Sequence, residues 1–362
     1  MPSGHSAWLT VVLLCAVTLL AACERTVSVQ SGFRGTGMVL VYDAEAVARD
    51  EPIHQVPEPE PVDPPEPDSP TVNELFKNVK VLNDLTALEF SRLMQALTTW
   101  VSPDDGCDYC HNPRNLASDE KYPKVVARRM LQMTREINTN WKAHVADTGV
   151  TCWTCHRGQP VPTGIWFVNS GPRAPAASMG NRAGQSLPGL SVNGNSSLPF
   201  DPLSTFLLSD DTIRVQGLTA LPNDNRHSIK QTEWTYSLMI YMSKSLGVNC
   251  TFCHNTRALA NWAQSPVPRV AAWHGIRMVR TLNNDYLVPL TSVFPPNRLG
   301  PEGDGPKLAC MTCHKGAYRP LFGVTMLNDY PELRGAFGPR PEIGGLPYPE
   351  GTAPPAGDKP KP

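Results

Sequence analysis

The chain has 362 residues, 32 Lys and Arg against 33 Asp and Glu, a formal net charge of −1 and only 18% charged residues. This length allows one large domain or two smaller ones, and a near-neutral balance with no basic stripe excludes a nucleic-acid binder. The 37 prolines call for long irregular connections rather than unbroken helices.

In chain order, Ala7 to Ala22 form an apolar run of signal-peptide length, shorter than the roughly 20 residues of a membrane span. It ends in Leu20-Ala-Ala-Cys23, the pattern of a bacterial lipobox, where cleavage leaves Cys23 as a lipid-bearing N-terminus. Met1 to Ser6 lack Lys and Arg, so the alternative is an uncleaved hydrophobic anchor. Either way the body of the protein lies outside the cytoplasmic membrane. A polar segment with Gly32-Phe-Arg-Gly35-Thr-Gly37 follows. Glu51 to Pro70, EPIHQVPEPEPVDPPEPDSP, is Pro-rich and acidic and reads as an extended strap, with His54 a solvated side chain in it.

Apolar spacing predicts a helix over Asn73–Val101, stopped by Ser102-Pro103. A second runs from Lys124 to Asn138, with a further turn or two through Trp141 to Val145, and Gly149 ends it. Val161 to Phe200 is rich in Gly, Ser, Pro and Asn and reads as a connecting loop or insertion. A short strand is expected around Thr212-Ile-Arg-Val-Gln216. Helices resume over Gln231–Leu246 and Val270–Asn283, and the tail after Gly335 is Pro/Gly-rich with nothing to bury.

Between these helices lie four C-x-x-C-H motifs: Cys107-Asp-Tyr-Cys110-His111, Cys152-Trp-Thr-Cys155-His156, Cys250-Thr-Phe-Cys253-His254 and Cys310-Met-Thr-Cys313-His314. One copy is compatible with a redox or zinc C-x-x-C, but four copies using eight of the ten cysteines are the signature of c-type haem attachment. Two thiols add across the vinyl groups as thioethers, and the following His ligates iron. Four covalently bound haem c groups are implied, with His111, His156, His254 and His314 as proximal ligands.

The helices repeat with the motifs. Leu93-Met94 precedes the first motif as Leu238-Met239 precedes the third. Met133-Thr-Arg-Glu-Ile-Asn138 precedes the second as Met278-Val-Arg-Thr-Leu-Asn283 precedes the fourth. The expected fold is mainly α with extensive irregular loops, a multihaem cytochrome c built from two pseudo-repeated two-haem modules, each helix–haem–helix–haem. Its segments are a signal peptide (1–22), an anchored Pro-rich extension (23–70), a first two-haem module (71–160), a connecting loop (161–230), a second module (231–335) and a tail (336–362).

Each iron needs a sixth ligand or stays open for chemistry, and a Met there raises the potential relative to a second His. Met94 and Met239 occupy matching places and are the distal candidates for haems 1 and 3, whereas Met242 falls opposite Leu97 and packs. Haem 2 has two candidates, Met130 and Met133. Met133 aligns with Met278, and Met130 aligns with Gly275. His144 and His274 are both near enough in sequence to serve haem 4, and spacing leaves the choice open.

The chain resembles the tetrahaem cytochrome subunit of purple-bacterial photosynthetic reaction centres. The likeness runs through Cys23, Gly32-Phe-Arg-Gly35, Lys77-Asn-Val-Lys-Val-Leu82, Trp100-Val-Ser-Pro103, Lys121-Tyr-Pro123 and Val125-Val-Ala-Arg-Arg-Met130. It continues in Asn138-Thr-Asn-Trp141, Thr148-Gly-Val-Thr-Cys152, Asn249-Cys-Thr-Phe-Cys-His-Asn255, Gly275-Ile-Arg-Met-Val-Arg280, Pro320-Leu-Phe-Gly323 and Asp329-Tyr-Pro-Glu-Leu333. In that family three haems are His/Met and one is bis-His. The resemblance therefore implies Met130 for haem 2 and His144 for haem 4. His274 stands where the family leads us to expect Trp, and is taken as packing beside the site.

With all irons six-coordinate no position is left for a substrate, so the chain is expected to carry electrons rather than act as an enzyme. The resemblance implies a lipid-anchored protein on the periplasmic face of the photosynthetic membrane, bound to the reaction-centre L and M subunits. It would take electrons from a soluble periplasmic c-type cytochrome or a high-potential iron–sulfur protein and re-reduce the photo-oxidised bacteriochlorophyll pair, with haem 3 nearest the pigments and haem 1 outermost. The rival readings are a multihaem respiratory quinol dehydrogenase or reductase module, and a free periplasmic electron shuttle. Asp104, Asp105 and Asp108 flank the first motif as a solvated loop or an acidic docking patch. Arg128, Arg129, Arg277 and Arg280 are either propionate partners or ordinary helix-surface charge.

Overall fold

A computed structural model describes residues 26–33, 37–62, 68–168, 198–199, 201–215, 227–259 and 261–336. Cys23 and its apolar run, most of the connecting loop and nearly all of the tail lie outside these residues. The described chain is mainly helical, with irregular connections and one two-stranded sheet.

That sheet is an antiparallel hairpin, β1 (Thr26–Ser31) and β2 (Met38–Asp43), paired from Thr26 with Asp43 to Ser31 with Met38. It replaces the polar segment expected there. Its signal was Val27 and Val29 alternating with polar residues, facing a second run with β-branched Val39 and Val41. The hairpin is docked on the third motif: the Val41 N–H donates to Asn249 Oδ1 (2.8 Å) and the Thr251 hydroxyl donates to the Val39 carbonyl (3.0 Å). Helix α1 (Ala44–Asp50) follows, capped by the Asp43 side chain.

The Pro-rich strap makes one 3-10 turn over Glu51–His54 and then runs on without regular structure to residue 62. It is held by side chains from elsewhere. Arg92 Nε donates to the carbonyls of Glu60 (3.0 Å) and Pro61 (3.2 Å), and the Glu60 N–H donates to the Tyr330 hydroxyl (2.9 Å). His54 is not solvated. It is 3% exposed and lies 4.4 Å, ring to ring, from Phe322.

The helix expected over Asn73–Val101 is two. A single turn, α2 (Val72–Leu75), is separated by a loop from α3 (Ala87–Val101), because Thr86 and Glu89 form a capping box that starts a new helix. α4 (Tyr122–Asn140) and the turn α5 (Lys142–Val145) agree with expectation. α6 (Cys152–His156) is the second motif itself. No strand forms at residues 212–215; the regular element nearby is α7 (Pro202–Leu207), started by the Asp201 side chain and Pro202. α8 (Ile229–Leu246) and α9 (Pro268–Leu282) follow, α9 running on as a π-turn over Asn283–Leu287, and α10 (Cys310–His314) is the fourth motif.

Two apolar cores form. One gathers Leu93, Ala96 and Trp100 of α3, Leu131 of α4, and Leu321, Leu327, Tyr330 and Leu333 from the C-terminal segment. The other gathers Met133 and Ile137 of α4, Leu203 and Phe206 of α7, Leu238 and Tyr241 of α8, and Ile276, Val279 and Leu282 of α9. Helix α4 stands between them, and residues 131–138 are buried on every side. Its polar residues are therefore all engaged inside. Arg135, fully buried, donates to the carbonyls of Glu332 (3.0 Å), Val81 (3.2 Å) and Ala336 (2.7 Å) and pairs with Asp84 (2.9 Å).

Candidate haem-binding site

The four attachment loops fall into two geometrical kinds. The first and third are 3-10 turns, in which the His N–H donates to the carbonyl of the first cysteine, 2.9 Å at both His111 and His254. The second and fourth are single α-turns. In each the motif threonine accepts from the backbone N–H just before the first cysteine, Thr151 to Thr154 and Ala309 to Thr312, both 3.0 Å. Each is closed by a left-handed residue, Arg157 (φ 51°) and Lys315 (φ 48°). A single turn carries the first cysteine, the second three residues on and the next His on one side of the chain, which two thioethers and an axial bond to one haem require.

The imidazoles are set for iron as well. Nδ1 of His111, His156 and His314 donates to the carbonyls of Leu116 (2.9 Å), Gln159 (2.8 Å) and Ala317 (2.9 Å). His254 makes no bond of regular geometry through Nδ1, yet the Leu259 carbonyl acts on its ring from the equivalent place. A carbonyl on Nδ1 fixes the tautomer and leaves the Nε2 lone pair free for a metal. Burial lowers the pKa of His156 and His254, and burial together with His144 pushes His314 down to about 4, so these rings are neutral at neutral pH. Burial also pushes the thiols of Cys110, Cys253 and Cys310 up to about 11 and that of Cys152 to about 12. Such thiols suit an apolar porphyrin edge and are poor thiolate ligands. Among the described residues no three His, Cys, Asp or Glu side chains gather into a metal cage. A porphyrin, which needs protein donors only above and below the iron, fits this donor set.

Two buried asparagines place the α-turn loops. Asn138 at the end of α4 donates to the Val150 carbonyl (2.9 Å) and accepts from the Val150 N–H (2.7 Å). Asn283 at the end of α9 does the same with Leu308 (2.9 and 2.7 Å). Val150 and Leu308 each stand two residues before a motif. The repeat in the sequence contained both asparagines; their role needed the contact.

The distal candidates lie in different surroundings. Met130, Cys152 and His156 line one cavity of about 350 Å³, together with Cys110 of the first motif. Met133 and Met278, the aligned pair, are instead buried in the second core. Met94 and Met239 are half-buried, each against its own core. In the second half Gly275 stands where Met130 stands in the first, and the His144 ring occupies the space: a Cβ on Gly275 would meet His144 Cε1 at 2.6 Å. The His144 and His314 rings are 6.0 Å apart between centroids, and His144 Nδ1 donates to the Ala271 carbonyl (2.9 Å). His274 packs edge-on against its neighbour Trp273 at 4.7 Å.

The arginines singled out are held by protein. Arg128 grips Asp119 through two bonds (2.9 and 2.8 Å), Arg129 is buried over Tyr286 and donates to the Asp285 carbonyl (2.6 Å), Arg277 stacks on Trp273, and Arg280 donates to the Phe206 carbonyl.

Adjacent loops lie in the order one, two, four, three. The first and second share the cavity. The second and fourth meet at Cys155 and Cys313, whose Cα atoms are 4.5 Å apart. The fourth and third meet where the Gly316 N–H donates to the Ser245 carbonyl (2.9 Å), beside left-handed Gly247 (φ 63°), on which any Cβ would collide with the Gly316 carbonyl. Among the described residues no helix is long and apolar enough to cross a membrane.

The sequence profile described as photosynthetic reaction centre cytochrome C subunit matches residues 23–334. A photosynthetic reaction center cytochrome c subunit of Rubrivivax gelatinosus is 49% identical over 90% of this chain and 88% of its own length. Those of Thermochromatium tepidum and Roseobacter denitrificans are 45% and 42% identical, over 92% and 88% of this chain and 82% and 88% of theirs. With cysteines, imidazoles and repeat disposed as this cofactor demands, the chain belongs to the family of photosynthetic reaction centre cytochrome c subunits.

Proposed function

We propose that this electron-transfer subunit of the photosynthetic reaction centre holds four haem c groups in a row ordered 1–2–4–3 and conducts along that row to the photo-oxidised pigment pair. The observation that carries the reading is the chain of contacts between attachment loops. One cavity is shared by the first two, Cys155 lies beside Cys313 in the middle, and Gly316 rests on the end of α8 beside the third. Haem c, when bound, supplies a one-electron couple whose potential follows axial ligand and burial. The protein sets both. Met94, Met130 and Met239 would hold haems 1, 2 and 3 together with their motif histidines, and His144 would hold haem 4 together with His314. Cysteines 107, 110, 152, 155, 250, 253, 310 and 313 make the thioethers. No iron is left open for a reactant, so the protein carries electrons and performs no bond chemistry.

Cys23, acylated, anchors the protein at the periplasmic face of the photosynthetic membrane on the L and M subunits. The hairpin that begins just after it reaches the third attachment loop, which supports a membrane-facing third site. At the other end Asp104, Asp105 and Asp108 are all exposed beside the first motif. They suit a basic soluble c-type cytochrome; a high-potential iron–sulfur protein is the other donor class.

Flash excitation of native membranes tests the reading. Haem oxidation within the flash response is expected, followed by second-order re-reduction by added donor. Reversing the three aspartates to lysine is expected to slow that second phase on the order of tenfold at low salt and little at high salt. A respiratory module or a free shuttle would show no flash-induced oxidation.

A further inference from the structure

The Pro-rich strap has no part in the electron-transfer scheme so far, yet it is fastened to the middle of the row. Trp153, inside the second motif, donates its indole N–H to the Gln55 carbonyl (3.0 Å). Arg157, directly after His156, donates to the Ile53 carbonyl, and it reaches the Cys313 carbonyl of the fourth motif at 3.5 Å. Between these two fastenings His54 turns inward, 3% exposed, against Phe322. Burial, and then the Arg157 charge, lowers its pKa, so the ring is neutral. Phe322 belongs to the segment after the fourth motif, where Leu321 (φ 56°), Phe322 (φ 52°) and Gly323 (φ 86°) are all left-handed. Left-handed backbone at two non-glycine residues is strained and persists only where the surroundings enforce it. Leu321 is anchored in the first core, and its neighbour is thereby presented to His54.

We propose that residues Ile53 to Gln55 are a latch over the junction of the second and fourth haem sites, with Trp153 and His54 as positioning residues that hold the two loops together and keep water from them. Water admitted beside a haem favours the more charged oxidised state and lowers the potential. The latch thus sustains the potentials of these two sites as a pair. The inference rests on the ligand assignment above, under which site 4 is bis-His and sites 1 to 3 are His/Met.

The test is Trp153→Phe in the full membrane-bound protein within its reaction centre, which keeps an aromatic ring, though a smaller one, and removes the bond to Gln55. In a redox titration resolved by α-band, the bis-His band and one His/Met band are expected to move to lower potential together, with the other two unmoved. Limited proteolysis within residues 51–62 is expected to quicken roughly fivefold, as loss of one hydrogen bond implies. Should this variant fail to retain haem, His54→Ala carries the same two readouts. Four bands moving together, none moving, or one moving alone overturns the latch. A native protein with no bis-His band overturns the ligand assignment instead.

Discussion

His144→Ala in the membrane-bound protein is expected to convert one haem of the four from low-spin to high-spin and to make it bind carbon monoxide, while the other three remain closed. The His144 ring is the imidazole that faces His314, 6.0 Å away between centroids, and its Nδ1 is committed to the Ala271 carbonyl. Neither His274, turned edge-on to Trp273, nor Met278, buried in the second core, is placed to replace it. Gly275→Ala is expected to give a partial form of the same phenotype without touching a ligand, since its Cβ would stand 2.6 Å from His144 Cε1 and 2.9 Å from Nδ1. Restoring a methionine at position 275 in the His144→Ala background tests the repeat directly. That side chain enters where Met130 enters in the first half, and the recovered low-spin haem is expected at a higher potential than the bis-His original. The checks are visible and near-infrared spectra, carbon monoxide difference spectra and a redox titration. Four unchanged haems in His144→Ala would remove this residue from the ligand set.

Asn283→Leu is expected to lower stability by about 3 kcal/mol or more, since it strips partners from the buried Leu308 N–H and from the Leu207 and Leu308 carbonyls, each worth about 1–3 kcal/mol when left unsatisfied. Asn138→Leu is the matching change in the first half, where the Val150 N–H and the carbonyls of Val150 and Leu333 lose their partner. The loss should concentrate at one haem in each case. Asn283→Leu loosens the fourth loop and broadens the bis-His band, and Asn138→Leu loosens the second and broadens a His/Met band. Denaturant unfolding followed by near-ultraviolet circular dichroism measures the first effect, and α-band spectra of the folded variants measure the second. An exposed asparagine such as Asn284, whose side chain donates to the Leu208 carbonyl, is the control, and changing it to Leu should cost well under half as much.

Much of the candidate site was legible because its chemistry is local. Two thiols must reach the vinyl groups and an imidazole the iron of one porphyrin, so they fall within a single turn, and such spacing survives in any tertiary setting. The long helices α4, α8 and α9 were legible from apolar period and end signals for a similar reason. The residues that failed to read correctly are those whose partners are far away. His54 looks solvated among prolines and charges, but Phe322, brought in from far along the chain, packs against its buried ring. The strand expected at residues 212–216 has β-branched residues but no partner strand among the described residues. The hairpin at 26–43 has both its strands, whose local alternation stands beside the glycines of its turn. Within 73–101 the capping box at Thr86 and Glu89 is a local stop-and-start signal that divides the apolar period into two helices.

The amino-acid order by itself displayed the four C-x-x-C-H motifs, the histidine that closes each and the repeated helices, because each depends on separations of a few residues. It equally presented Met130 and Met133, or His144 and His274, as candidates, because a helix offers several faces and spacing along the chain cannot say which one meets the partner. Tertiary structure gives these candidates different surroundings. Met133 is drawn into a core while Met130 lines the cavity beside His156, and the missing side chain at Gly275 opens the space that the His144 ring fills. The physical reason is steric: a bond reaches a few ångströms along the chain, whereas room for a ring is set by everything that packs around it.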